Sequence, residues 1–126
     1  INCGACLAIA PKIFKSVGLE SYVYEQPINL KQSAKTIQAM ISCPTKSIRV
    51  EKETSQFNDI LQNELPFPVN NTFLPNIYHL GFHQLETYGI APYLIVRKSG
   101  NIMINIPEFN SHLVNSIKKL GGIDYL

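Results

Sequence analysis

The sequence predicts an α+β chain built as two small units joined by a polar stretch. Three observations predict it. Apolar residues recur at helical spacing over residues 30–41 and again over 111–120. Runs rich in β-branched and aromatic residues, bounded by Gly, Pro, Asn and Ser, recur over 77–82, 93–97 and 102–106. Two closely spaced cysteines, Cys3 and Cys6, open the chain, and the third, Cys43, is followed directly by Pro44.

A chain of 126 residues, 45% hydrophobic and 16% charged, has the composition of a globular protein. A net charge of +2 is too mild to argue for nucleic acid. No apolar run approaches the roughly 20 residues that span a bilayer, so neither nucleic acid nor a membrane is an expected partner. Three cysteines are an odd count, which argues against a closed disulfide framework. A reducing compartment suits such a thiol set, and the cytoplasm or an organellar stroma is the expected location.

In chain order, residues 3–10 read as a short helical turn that Pro11 stops. Gly4 is expected to let the backbone pass close to a ligand without a Cβ in the way. Ile13 and Phe14 supply apolar cover. Residues 17–24, with Tyr22 and Tyr24 alternating, read as one hairpin strand ending at Pro27. Leu30, Ala34, Ile37 and Ile41 form the apolar face of a helix over about 31–42, with Met40 beside them and Lys31, Gln32, Lys35 and Gln38 on the wet face. This helix delivers Cys43 to its C-terminal end, where Pro44 turns the chain. Residues 48–50 read as a second short strand. The unit 1–50 has too small a core to stand alone, so a bound group would act as its staple.

Residues 51–75 are polar or turn-forming, including Leu65-Pro66-Phe67-Pro68 and Asn70-Asn71, and read as a linker. Phe57, Ile60 and Leu61 are expected to form a single helical turn packed on one neighbour. In the unit 76–126, residues 77–82, 93–97 and 102–106 form three antiparallel strands, with Lys98-Ser99-Gly100-Asn101 a hairpin turn. Leu113, Val114, Ile117 and Leu120 line one face of a helix over 111–120, capped by Asn110 or Ser111 and ended by Gly121-Gly122. Residues 123–126 begin a further strand.

The cysteines carry the chemistry. Closely spaced thiolates plus a distant Cys-Pro suit an iron–sulfur cluster. Zinc also takes paired thiolates, but its sites usually draw a second pair or histidines at short spacing. Here Cys43 stands alone and His79, His83 and His112 lie far downstream. Three buried thiols without metal are the plain alternative. His79 and His83, at i and i+4, would bind zinc together on a helix. Their segment reads as a strand, which would hold them roughly 13 Å apart, so they are expected to be ordinary strand residues. His112, in the first turn of a helix, is expected to be solvated. Phe14, Tyr22, Tyr24 and Phe67 are expected to be aromatic core rather than a cluster shield. Lys118 and Lys119 complement a helix dipole. No Ser–His–Asp set or phosphate loop is visible, and no catalytic residue is assigned.

With Cys3, Cys6, Ala10-Pro11, Phe14 and Cys43-Pro44-Thr45, residues 1–50 resemble a single-cluster [4Fe–4S] ferredoxin. The resemblance implies that Cys3, Cys6 and Cys43 hold the cluster, in electron transfer or redox sensing with a redox partner it does not name. It also implies a fourth cysteine three positions before Cys3, so the sequence is expected to begin just after it. Residues 76–126 resemble the opening of the metallo-β-lactamase fold, through Tyr78-His79-Leu80-Gly81-Phe82-His83, Tyr88-Gly89, Gly100-Asn101-Ile102-Met103 and Leu120-Gly121-Gly122-Ile123-Asp124. The expected fold is therefore a ferredoxin-like iron–sulfur domain followed by the first strands and helix of an incomplete αββα sandwich, as in proteins that fuse the two. On that alternative the parent is a metal-dependent hydrolase whose zinc or iron ligands lie past Leu126, and the chain itself is a non-catalytic fragment. The family's third strand usually ends in Asp, where this chain has Asn105. Missing later strands would leave Ile95, Ile102, Ile104 and Leu126 exposed.

Overall fold

The computed structural model describes residues 2–69 and 72–126. Their fold is mixed α+β, as the sequence predicts. The chain opens with a short helix, α1 (Ala5–Ile9), and a hairpin of β1 (Phe14–Val17) and β2 (Glu20–Val23). The expected single strand over 17–24 is thus two strands, because Gly18 takes a left-handed φ of 58° and reverses the chain. The two strands pair from Phe14 opposite Val23 to Val17 opposite Glu20.

Helix α2 (Leu30–Ile41) follows, one residue offset from its expected span. The Asn29 side chain accepts from the Gln32 N–H at 3.0 Å and starts it. Its buried residues are Ile37, Ala39 and Ile41, whereas Leu30, expected on the apolar face, is exposed. Ile37 and Ile41 point into one core and Ala39 into another, so α2 is the wall the two cores share. The smaller core is Ala10, Ile13, Phe14 and Ala39, edged by Cys6, Leu7, Ile9 and Ile48. Ile48 reaches this core from a segment without ladder pairing. The strand expected over 48–50 does not form, since β1 and β2 pair with each other.

The stretch expected to be a linker carries a ten-residue helix, α3 (Ser55–Glu64). The Thr54 side chain accepts from the Phe57 N–H at 3.2 Å to start it. Phe57, Ile60 and Leu61 are all buried in the larger core, on a full helix rather than a single turn. A two-residue strand, β3 (Phe67–Pro68), follows and was not anticipated. Asn70 and Asn71, expected as turn formers, lie outside the described residues.

β3, β4 (Ile77–His79), β5 (Tyr93–Ile95) and β6 (Ile102–Ile104) form an antiparallel sheet in that order among the described residues. β4, β5 and β6 are each shorter than expected. β4 stops at His79 because Gly81 and Phe82 take positive φ values of 65° and 51°. Helix α4 (Ser111–Lys119) is capped by Asn110, whose side chain accepts from the Leu113 N–H at 3.1 Å. Residues 123–126 form no strand; Tyr125 makes a single parallel bridge to Ile102. Ile104 and Leu126 are exposed as expected, while Ile95 and Ile102 are half-buried. The larger core joins α2, α3, the sheet and α4, with Leu80 and Leu94 fully covered. Burying each such side chain contributes roughly 1.5–3 kcal/mol.

Two glycines separate conformational strain from steric overlap. A Cβ on Gly89 would lie 2.3 Å from Pro44 Cβ, and its φ is 73°. A Cβ on Gly18 would meet nothing within 4 Å, at a φ of 58°. Gly18→Ala is therefore expected to cost about 1–2 kcal/mol, the left-handed penalty alone. Gly89→Ala is expected to cost about 2–4 kcal/mol, since overpacking adds to the same penalty. Urea unfolding of the two variants checks the difference.

Candidate metal centre

The three cysteines reach one place by three local routes. Cys3 precedes Gly4, which starts α1 from a left-handed φ of 72°. A Cβ on Gly4 would meet nothing within 4 Å, so that φ, not a close protein contact, is what requires glycine here. Cys6 lies on α1 and packs against the smaller core. Cys43 follows Ser42, the residue that caps α2, so the helix does carry it to its end. All three line a single cavity of about 610 Å³. Phe14, Ala39 and Ile48 form its apolar wall, and Glu20, Tyr22 and Arg49 lie on its polar side. Each cysteine is a free thiol; Cys3 is exposed, and Cys6 and Cys43 are half-buried.

Cys43 is the most elaborately held of the three. The Ser47 N–H donates to Cys43 Sγ at 3.3 Å, and the Thr45 hydroxyl lies 3.5 Å from the same sulfur. Thr45 in turn bonds the Ser47 hydroxyl at 2.8 Å. Burial pushes the Cys43 thiol up, but hydrogen bonds from the Thr45 side chain and the backbone of Ser47, Thr45 and Ile48 outweigh it and lower its pKa below the ordinary thiol value. A turn that aims N–H groups at sulfur favours the thiolate, the form that ligates metal.

The donor set, three cysteine thiols on one cavity, is of a kind that an iron–sulfur cluster takes. Among the described residues, no three Cys, His, Asp or Glu side chains are grouped to hold one metal ion. A single zinc needs thiolates within about 4 Å of one another, given its bond length of about 2.3 Å. A cluster places each thiolate on a different iron and spaces them wider. Three thiols line one cavity, and the pKa of one of them, Cys43, is lowered by its hydrogen bonds. Tyr22 and Phe14 do line the cavity, contrary to a purely core role. Phe67 is buried in the larger core, and Tyr24 carries Lys15 Nζ 3.2 Å above its ring.

The histidines depart from expectation. His79 Nε2 and His83 Nε2 stand 3.1 Å apart, not on a common extended strand. The left-handed residues Gly81 and Phe82 fold the chain back between them. His83 Nδ1 lies 2.8 Å from the Gly89 carbonyl oxygen, which only accepts, so His83 Nδ1 carries the proton. His83 Nε2 is then the acceptor for His79 Nε2–H, and His79 Nδ1 accepts from the Ser42 hydroxyl at 3.3 Å. The result is one directional chain, Ser42 to His79 to His83 to Gly89, with every polar atom used. His112 is half-buried at the start of α4, not freely solvated. Asn105 has a φ of 60° and donates to the Ala91 carbonyl at 3.1 Å.

This chain has a pH consequence. Burial, and then the neighbouring His83, lower the His79 pKa from 6.5 to about 4. The unfolded chain therefore binds a proton at His79 below pH 6.5, and the folded chain only below about 4. Stability from this group is complete above pH 6.5 and is lost as pH falls towards 4. The loss is about 3 kcal/mol. Urea unfolding of the metal-free chain at pH 7 and at pH 4 is expected to show it, and His79→Gln should flatten the dependence.

Comparison with known proteins places the cysteine unit. No curated protein and no solved structure matches the chain. The metallo-β-lactamase resemblance of residues 76–126 gains no support from these comparisons. Residues 1–50 match the family described as the 4Fe-4S single cluster domain of Ferredoxin I, which supports an iron–sulfur, ferredoxin-type reading of that stretch.

Proposed function

We propose that the chain holds one [4Fe–4S] cluster through the thiolates of Cys3, Cys6 and Cys43 and uses it for single-electron transfer or redox sensing. The observation that carries this reading is the meeting of all three cysteines on one cavity inside the stretch that matches the ferredoxin domain. Residues 1–126 supply three thiolates. The fourth iron takes another ligand: a cysteine of the kind the ferredoxin pattern sets three positions before Cys3, an added thiol or water. When bound, the cluster supplies reversible one-electron chemistry.

The chain's own residues bind, shield and tune. Cys43 is presented from the end of a rigid helix, and its N–H and hydroxyl partners favour the anionic sulfur. Phe14, Ala39 and Ile48 keep water from the inner wall, while Cys3 leaves an exposed side through which electrons can pass to a partner. Arg49, on the cavity's polar side, brings positive charge towards a negatively charged cluster. A reducing compartment would keep the three thiols free. None of the described helices is long and apolar enough to cross a membrane.

Anaerobic reconstitution of the full chain with iron, sulfide and an exogenous thiol tests this. Iron and sulfide should be retained in comparable amounts, with a broad visible band that bleaches on reduction. Cys43→Ser should retain far less, since losing a direct ligand exceeds the about 10–100-fold that losing an outer-shell partner costs. Retention of zinc in preference to iron, or equal iron with and without Cys43, would rule the reading out.

A further inference from the structure

Around Cys43, four neighbouring positions are held by the C-terminal half of the chain. The Ile41 carbonyl accepts from the Phe82 N–H at 2.9 Å, and Gly81 lies so close that a Cβ there would sit 2.6 Å from Ile41 Cδ1. The Ser42 hydroxyl bonds His79. Pro44 lies under Gly89, whose carbonyl accepts a hydrogen bond from His83 Nδ1–H. Lys46 pairs with Glu108, and the Glu108 N–H donates back to the Phe82 carbonyl at 2.7 Å.

The histidine chain is the part of this grip that reaches the two residues directly flanking Cys43. It begins on Ser42, one residue before the cysteine, and ends on Gly89, which presses on Pro44, one residue after it. Ser42 and His83 are buried, at 5% and 6% exposure, so water does not readily replace these bonds. Two imidazoles in series are rigid and directional. A shift of the 42–44 step would break a buried hydrogen bond at one end or overlap Gly89 at the other.

Resting on the cluster reading above, we propose that His79 and His83 are positioning residues for the Cys43 ligand. They fix the backbone on both sides of the cysteine and so set where its sulfur stands relative to Cys3 and Cys6. Through them the C-terminal half governs how long a cluster is kept and what electronic environment its Cys43 corner feels. Neither histidine touches the cluster in this proposal.

The experiment uses the full chain, reconstituted anaerobically, as wild type, His83→Phe, His83→Gln and Leu94→Ala. Phe keeps the ring volume and removes both nitrogens; Gln offers one donor and one acceptor; Leu94→Ala weakens the same core without touching the chain. Three quantities are measured: iron and sulfide per chain, the rate of iron loss to a chelator, and the electron paramagnetic resonance spectrum of the reduced cluster. Thermal unfolding of the metal-free proteins gives their relative stability. His83→Phe is expected to lose iron about tenfold faster than wild type, as outer-shell losses typically do, with an altered spectrum. His83→Gln should recover most of the lifetime and the wild-type spectrum. Leu94→Ala should unfold earlier yet keep the wild-type spectrum. If Leu94→Ala alters the spectrum as His83→Phe does, or if His83→Phe keeps wild-type lifetime and spectrum, the positioning role is wrong while the cluster reading stands. A wild type that retains no iron and sulfide overturns both.

Discussion

The rest of the structure depends on how the C-terminal end of α2 is held. A helix ends with carbonyls that have no partner within it, and a chain leaving such an end is free to choose a direction unless something fixes it. Here the Phe82 N–H takes the Ile41 carbonyl, and the loop around Gly81 packs directly on the Ile41 side chain. Gly81 permits this twice over, by its φ of 65° and by its missing Cβ. The larger core then closes on Ile37 and Ile41 from the sheet side, and the smaller core closes on Ala39 from the other. One helix thus transmits the rigidity of a sheet-and-helix body to a cysteine loop that has little rigidity of its own.

That transmission matters because the smaller core is modest. Ala10, Ile13, Phe14 and Ala39 are its buried members, and two of them are alanines. At roughly 25 cal/mol per Å² of buried apolar surface, such a set does not offset the conformational entropy of ordering the hairpin and α1 by itself. Two additions are available. The first is α2, already ordered by the larger core. The second, on the cluster reading proposed above, is metal–thiolate bonding, which in small domains contributes folding free energy outright. The exposed strands of the hairpin, including Val17 and Tyr22, fit a unit whose internal packing is thin.

The parts legible in the sequence are those set by local rules. The i, i+4 spacing of α2, its delivery of Cys43 and the Asn110 cap of α4 follow from side-chain chemistry within a few residues. The parts that were not legible are set by tertiary contact. Leu30 has the right spacing for a core face but faces water, because α2 is buried on two sides around Ile37, Ala39 and Ile41. α3 hides in a polar stretch because only Phe57, Ile60 and Leu61 need be apolar when one narrow face is buried. Gly18 was read as part of a strand, although a glycine between two alternating runs is also a turn signal. The histidine pair was missed for the same reason. His79-Leu80-Gly81-Phe82-His83 reads as a strand by composition, but the left-handed pair Gly81 and Phe82 folds the chain back and brings the rings together.

The cysteine site is consequently held by unequal means. Cys43 is set by a helix end, a ring of neighbouring contacts and a turn that points hydrogen-bond donors at its sulfur. Cys3 and Cys6 are set by a five-residue helix, a left-handed Gly4 and a surface bond from the Ser21 hydroxyl to the Asn2 side chain at 3.0 Å. A helix this short has little stability of its own, and its order comes from packing on α2 and β1. The corner at the end of α2 carries the sulfur whose pKa is lowered, and the other corner carries the exposed Cys3. One side holds its thiol by a helix end and a hydrogen-bonded turn, and the other depends on packing against α2 and β1.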